Sequence, residues 1–102
     1  MSTVLITGAS RGIGAQCALT FAREGYDVAL NYCRSEEKAL ALVREIEALG
    51  VRACAVQADV ADSMQVKRMF ETVRAELGTV DVLVNNAGVA HVGLLTDMTD
   101  DE

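Results

Sequence analysis

The chain has 102 residues, enough for one domain over 1–102 with a modest hydrophobic core. Its composition, 51% hydrophobic and 24% charged without any proline, is typical of folded globular proteins and excludes a disordered chain. The net charge of −6, with no basic cluster, argues against nucleic acid as a partner, and no apolar run approaches the ~20 residues of a membrane span.

The three cysteines, Cys17, Cys33 and Cys54, are odd in number and share no metal-ligand spacing. This pattern favours reduced thiols in a cytoplasmic protein and predicts no metal site. The first residues also lack the layout of a secretory signal peptide, which agrees with that expectation.

The first predicted elements are a strand, a glycine turn and a helix. The apolar run Val4–Ile6 has the length and branching of a buried strand, and TGASRGIG follows it at 7–14. Gly8 suits a tight turn, Gly12 allows the backbone to approach a ligand, and Gly14 allows the helix to pack close to the strand. The order presents backbone N–H groups and a helix N-terminus to a phosphate. One face of the predicted helix carries Ile13, Cys17, Ala18 and Phe21.

Three further strands and two helices are predicted in alternation after Gly25, the expected end of the first helix. The strands cover 26–32, 51–59 and 80–85. A helix capped by Ser35 is predicted to run to Leu49, and a capping box at 62–65 begins a helix that ends at Gly78. The pattern βαβαβαβ indicates an α/β fold with a doubly wound parallel sheet and right-handed crossovers.

The last four residues, Thr99 to Glu102, have the form of another capping box. They predict the start of a helix, and we expect the chain to be the front part of a longer protein. The alternative is an acidic tail in solution.

Polar or glycine-rich segments follow three of the predicted strands: 8–14, 59–60 and 85–88. In an open parallel sheet a ligand binds outside the carboxyl ends of the strands, where the strand order reverses. Asp59 is a candidate acceptor for the exocyclic amine of an adenine, and a turn or capping aspartate is the alternative. Asn86 and Gly88 are candidates for the same crevice, or only a turn after a strand.

These three segments resemble the cofactor-binding half of the short-chain dehydrogenase/reductase family. TGASRGIG at 7–14, Asp59-Val60 and NNAG at 85–88 occur in the family's order, and the resemblance spans essentially the whole chain. Within the family the sequences of these motifs are most similar to those of 3-oxoacyl carrier-protein reductases. The resemblance implies the first half of a Rossmann-type sheet, with strand order 3-2-1-4, that binds NAD(P).

The resemblance also implies which residues contact the cofactor. Asp59 and Val60 are expected at the adenine, and the Asn85-Asn86 pair is also expected to tie the central strands together. The pyrophosphate and the adenosine ribose are assigned to Gly8, Ser10, Arg11, Gly12, Ile13 and Gly14. The nicotinamide-side ribose is assigned to Asn86, Ala87 and Gly88.

The choice of cofactor can be argued from charge. An NAD-specific site places a carboxylate about 20 residues beyond the glycine motif, to hold the ribose hydroxyls. Residues 31–34 lie at that distance and include no acid, whereas Arg11 and Arg34 can pair with a 2′-phosphate. In the family, a basic residue at the position of Arg11 is typical of NADP preference. We therefore expect NADP(H) to be favoured over NAD(H); the alternative is that Arg34 is only a solvated charge at a helix start.

The family's catalytic serine and Tyr-x-x-x-Lys pair are absent from the chain. Neither tyrosine has a lysine four residues on, and no serine or lysine follows residue 67. His91, the only histidine, is expected on a loop surface rather than as a base. We therefore expect the NADP(H)-binding portion of a ketone reductase, with no catalytic residue and no activity on its own. The alternative is a non-catalytic nucleotide-binding or interaction module; the second and third segments argue against a flavodoxin-like phosphate binder.

The fourth strand predicts association. In the implied order it lies at the edge of the sheet, with apolar side chains on both faces and no helix to cover the first and fourth strands on one of them. An open apolar edge of this kind is a template for pairing, so we expect a homo-oligomer.

Overall fold

A computed structural model describes residues 2–9, 12–86 and 91–94. Five strands and three helices lie within these ranges. The strands are β1 Thr3–Thr7, β2 Asp27–Tyr32, β3 Ala53–Gln57, β4 Val82–Asn85 and β5 His91–Leu94. The helices are α1 Gly12–Arg23, α2 Glu36–Glu47 and α3 Ser63–Leu77.

The sheet has the strand order β3-β2-β1-β4-β5. The first four of these strands are parallel, so the doubly wound α/β fold and the order 3-2-1-4 are confirmed. Within the described residues, no helix is long and apolar enough to cross a membrane.

The expectation that β4 forms the edge of the sheet is wrong. β5 pairs with it antiparallel, with His91 opposite Asn85, so His91 belongs to a strand and not to a loop. The backbone groups that β4 would otherwise leave open are paired by the next extended segment of the chain. An edge-to-edge dimer through β4 therefore loses its basis, and association stays a prediction.

Helices cover both faces of β1, which has no exposed residue. Val4 and Ile6 pack with residues of α1 and α2, while Leu5 packs on the opposite face with Met69 and Val73 of α3. We expected no helix over β1 and β4 on this face. For β1 this expectation is wrong, because Leu5 is fully buried. Its neighbour on β4, Leu83, is only half-buried.

Two predicted helix details differ from the structure. The buried line of α1 runs through Gly14, Ala18 and Ala22, and Ile13, one residue and about 100° away from it, is 72% exposed. Ser35 precedes α2 but makes no side-chain capping bond, and the helix ends before Leu49, which is exposed.

The N-cap of α3 is confirmed, but the capping box is not closed, because Gln65 Oε1 accepts from the Asp59 N–H and the Asp62 N–H donates to the Asp59 carbonyl. The Asp62 carboxylate accepts hydrogen bonds from the backbone N–H groups of Met64 and Gln65 at 2.9 and 3.3 Å. These bonds favour the ionised form and lower the pKa of Asp62.

The amino edge of the sheet is held by an ion pair. Asp27, fully buried at the start of β2, accepts bonds from the Arg52 backbone N–H at 2.9 Å and from its guanidinium at 2.8 and 3.0 Å. The same guanidinium donates to the Leu77 carbonyl at the end of α3. This network joins β2, the entry to β3 and α3 on the side of the sheet away from the glycine turn.

Candidate functional site

The turn between β1 and α1 uses glycine where a left-handed backbone is required. Gly8 and Gly12 have φ of 60° and 66°, values that residues with a side chain rarely adopt. A Cβ on Gly12 would meet no atom of the described residues within 4 Å, apart from its chain neighbours, so these residues leave space over this position.

Gly14 brings α1 into contact with the strand below it. A Cβ at this position would lie 2.7 Å from the Gly8 carbonyl oxygen, 2.8 Å from Ala9 Cα and 2.8 Å from Asn86 Nδ2. Two of these three neighbours are backbone atoms, which cannot swing aside. The first turn of the helix therefore rests on the glycine turn at a distance that only glycine allows.

The amino end of α1 carries no acidic side chain in its first turn. By contrast, α2 begins with Glu36 and Glu37, and α3 is capped by the Asp62 carboxylate. The first N–H groups of a helix lack intrahelical partners, and the helix dipole adds a partial positive charge there. The amino end of α1 therefore suits an anion such as phosphate. Ser10 and Arg11, predicted to share this contact, lie outside the described residues.

The end of β4 is tied to the end of β1, as the asparagine pair predicts. The Thr7 hydroxyl lies 3.0 Å from Asn85 Oδ1 and accepts a bond from the Asn86 N–H at 2.9 Å. The Asn86 side-chain amide donates to the Gly8 carbonyl at 3.3 Å. Asn86 therefore lies beside the glycine turn, while Ala87 and Gly88 fall outside the described residues.

Asn31, near the end of β2, joins the glycine turn to the end of β3. Its Oδ1 accepts a bond from the Gly8 N–H at 3.2 Å, and its Nδ2 donates to the Ala58 carbonyl at 3.0 Å. The Asn31 carbonyl also accepts from the Ala9 N–H at 3.0 Å. Sequence reasoning missed this role, although a polar residue inside the apolar strand VALNY is the signal that could have found it.

Asp59 and Val60 lie just beyond β3, at the same edge of the sheet as the glycine turn. Asp59 is exposed and its Oδ1 accepts a bond from the Ala61 N–H at 2.9 Å, the geometry of an aspartate turn. Its own N–H donates to Gln65 Oε1 at 2.9 Å. The turn leaves Val60 37% exposed, beside a carboxylate that faces solvent.

A carboxylate lies at the end of β2, although residues 31–34, where the sequence predicts the ribose contact, include no acid. The Tyr32 hydroxyl donates to Glu36 Oε2 at 3.2 Å, which brings this carboxylate of α2 back to the strand end. Burial, with the nearby carboxylate, raises the pKa of Tyr32. Arg34, predicted to meet a 2′-phosphate, lies in the exposed segment between them.

The cysteines and potential metal ligands of the described residues form no cluster at this edge. No group of three or more potential metal ligands occurs in the part of the chain that the structure describes. Cys33 is exposed and Cys54 is buried, and burial raises the pKa of the Cys54 thiol to about 12. The site is thus built from glycines, amides, helix N–H groups and two strand-end carboxylates.

Known proteins are similar to this chain in sequence and in fold. The short chain dehydrogenase family model matches residues 2–102. A 3-oxoacyl-(acyl-carrier-protein) reductase FabG of Staphylococcus aureus (strain Mu50 / ATCC 700699) is 53% identical over 100 residues, covering 98% of this chain and 41% of that one. An L-rhamnose 1-dehydrogenase (NAD(P)(+)) of Sphingomonas sp. (strain SKA58) is 47% identical over 96 residues, covering 94% and 38%.

The fold is also similar to that of a solved structure. A short chain dehydrogenase from Burkholderia cenocepacia J2315, crystallised in complex with NADP, superposes with a TM-score of 0.82 at 49% identity. The match covers 98% of this chain and 41% of that one. The chain spans about two fifths of the length of the curated relatives it matches.

Proposed function

The chain belongs to the short-chain dehydrogenase family, and from this membership we propose that the carboxyl edge of its sheet binds NADP(H) for the reduction of a ketone by hydride transfer. Members of the family bind a nicotinamide dinucleotide, and the Burkholderia cenocepacia relative holds NADP. We propose that residues 1–102 act as the dinucleotide-binding domain. The Tyr-x-x-x-Lys pair is absent from these residues, so the reduction is proposed for the whole protein and cofactor binding for this chain.

The observation that carries the proposal is the contact of Gly14 with Gly8 and Ala9. It sets the acid-free amino end of α1 directly on the turn after β1, with open space over Gly12. A pyrophosphate bound there accepts hydrogen bonds from backbone N–H groups and meets the positive end of the helix dipole. We assign it, with the adenosine ribose, to the predicted set Gly8, Ser10, Arg11, Gly12, Ile13 and Gly14.

The other two subsites follow from the strand ends. Asp59, exposed beyond β3, is the proposed acceptor for the adenine amine, with Val60 against the ring. Asn86, held between Thr7 and Gly8, is proposed to line the nicotinamide-side ribose together with Ala87 and Gly88. A dinucleotide lying across this edge would run from the end of β3 past β1 to the end of β4, in the strand order observed.

Preference for the 2′-phosphate is proposed to come from Arg11 and Arg34. A guanidinium pairs with a phosphate through charge-assisted hydrogen bonds, and Arg34 is exposed at the exit of β2, where the ribose is expected. The Glu36 carboxylate opposes them, because it repels a phosphate at the same strand end. We propose that the two arginines outweigh the single acid and favour NADP(H).

The proposed substrate is a 3-oxoacyl thioester on a carrier protein, as in the name of the Staphylococcus aureus relative. The Sphingomonas relative is named for L-rhamnose, so similarity across these residues extends over chemically different substrates. The substrate is therefore proposed for the whole protein. Binding of the dinucleotide is proposed for residues 1–102 and can be measured on them.

Calorimetric titration of NADPH and NADH tests the proposal. Wild type is expected to bind NADPH more tightly than NADH. Loss of one phosphate contact in Arg11→Ala or Arg34→Ala should cost ~1.5–3 kcal/mol, less where the guanidinium stays exposed. Arg23→Ala, at the other end of α1, is the matched control and should leave both affinities unchanged. Equal affinity for the two cofactors in all four proteins would refute the NADP(H) preference, and no binding of either would refute the dinucleotide site.

A further inference from the structure

We propose that Asn31 is a positioning residue of the dinucleotide site, one that sets the distance between the glycine turn and the end of β3. The inference rests on the proposed function, because these two segments are the proposed contacts of the pyrophosphate and the adenine. It adds a residue that touches neither group and acts through both segments.

The Asn31 side chain is 2% exposed and makes one good bond in each direction. Its Oδ1 accepts from the Gly8 N–H, and its Nδ2 donates to the Ala58 carbonyl, with longer approaches of 3.4 and 3.5 Å to the Val56 and Tyr32 carbonyls. The orientation of the amide is fixed by its neighbours. The Gly8 N–H needs an acceptor and the carbonyls need a donor, so the oxygen must face β1 and the nitrogen β3.

The two joined segments cannot contact each other through the sheet. β2 lies between β1 and β3, and next-nearest strands are about 9.5 Å apart. Gly8 follows the last residue of β1, and Ala58 follows the last residue of β3. The Asn31 side-chain amide, on the strand between them, therefore binds both the residue after β1 and the residue after β3.

At neutral pH an amide meets this requirement because it carries an acceptor and a donor side by side. A carboxylate of the same shape accepts from Gly8 but has no proton for the Ala58 carbonyl, and an aliphatic side chain does neither. Release of either bond leaves the two segments tied to β2 only by backbone bonds, from the Ala9 N–H to the Asn31 carbonyl and from the Ala58 N–H to the Tyr32 carbonyl. Gly8 and Asp59 can then shift further relative to each other. A ligand that spans both segments then binds more weakly, because it must itself hold them at the right distance.

The test is the variant Asn31→Asp, followed by NADPH affinity between pH 5 and 8. Near pH 8 the ionised carboxylate faces a carbonyl oxygen, and affinity should fall about tenfold to a hundredfold, as expected for a broken buried hydrogen bond. A protonated carboxyl group donates to Ala58 and still accepts from Gly8, so affinity should recover as the pH falls. The midpoint should lie above the ordinary aspartate pKa of about 3.9, because burial and the facing carbonyls favour the neutral form.

Other titratable groups lie near the same strand end and need a reference. They are Tyr32 and Glu36 on the side of α2, Cys33 directly beyond β2, and Cys54 and Asp59 on the side of β3. No titratable side chain precedes Gly8 in the described part of β1. Wild type measured over the same pH range accounts for these groups, and only the difference between the two profiles is assigned to residue 31.

A second readout does not depend on the cofactor. In ligand-free Asn31→Ala, amide hydrogen exchange at Gly8 should accelerate, because its acceptor is gone. Exchange at Ala9 should change much less, because its acceptor is the backbone carbonyl of residue 31. Val73→Ala, which opens a cavity under α3 without touching the strand ends, is the control for general loss of stability.

The outcomes separate the inference from the proposed function. A failure of wild type to bind any dinucleotide refutes the function, while exchange at Gly8 still tests the linkage. Asn31→Asp binding with wild-type affinity at every pH would overturn the inference. The inference would also be overturned if NADPH affinity fell in the same proportion to lost stability in Asn31→Ala and in Val73→Ala. Equal acceleration of amide exchange at Gly8 and Ala9 in Asn31→Ala would overturn it as well.

Discussion

Replacement of Gly14 by alanine should damage the fold and the site together. The added methyl group would lie 2.7 Å from the Gly8 oxygen and 2.8 Å from Ala9 Cα, where ordinary contacts begin at 3.4 Å. Overpacking of this kind costs about 1–3 kcal/mol, and alanine recovers at most ~1 kcal/mol of helix propensity. Unfolding in urea should show a net loss of up to about 2 kcal/mol once this gain is subtracted. NADPH affinity should fall at least about tenfold. The added methyl group must move the amino end of α1 away from the glycine turn, and the proposed pyrophosphate site is formed by these two segments together.

Gly50→Ala is the matched control for this prediction. Gly50 has φ of 96° and open space around it, so alanine there brings left-handed strain of about 1–2 kcal/mol without a clash. Stability should fall by a similar amount in both variants, and NADPH affinity only in Gly14→Ala. If Gly14→Ala binds NADPH as wild type does, the close approach of α1 has no role in the site.

Arg52→Met should lower the free energy of unfolding by about 1–2 kcal/mol, because it removes the side-chain partner of the buried Asp27 carboxylate while the Arg52 side chain is 61% exposed and the backbone bond to Asp27 remains; NADPH affinity should not change, since the pair lies at the amino edge. Iodoacetamide at pH 8 should alkylate Cys33 and leave Cys54 unmodified until the protein unfolds, because the Cys54 thiol is buried and its pKa is about 12; peptide mass spectrometry measures both. Glu36→Gln should raise the ratio of NADPH to NADH affinity about two- to fivefold, and an unchanged ratio would show that this carboxylate lies too far from the 2′-phosphate to act on it.

The elements that local spacing defines were predictable from the sequence. The four parallel strands and three helices follow from apolar periods and glycine stops that lie within a few residues of each element. β5 was not predicted, because HVGL is short and its glycine interrupts the apolar alternation. Its place beside β4 depends on pairing with a strand whose register is set by β1.

The candidate site was predictable only where a motif marks it. Gly8 lies in the predicted turn with a left-handed backbone and Gly14 makes the predicted close contact, whereas the approach of Gly12 to a ligand stays a prediction. Asn31 was missed because its bonds join segments 23 and 27 residues away along the chain. Glu36 was missed for a simpler reason: the short connection 33–35 turns back so that Glu36, the first residue of α2, reaches Tyr32, whereas counting from the glycines places Glu36 beyond the expected window.

The central claim is that a nicotinamide dinucleotide lies along the carboxyl edge of the sheet, and mapping backbone amide chemical shifts during an NADP⁺ titration tests it most directly. The largest shifts should fall at Gly8, at 12–14, at Asp59-Val60 and at Asn86, with little change around Asp27 and Arg52 at the opposite edge. Shifts concentrated at that opposite edge, or none at saturating NADP⁺, would contradict it.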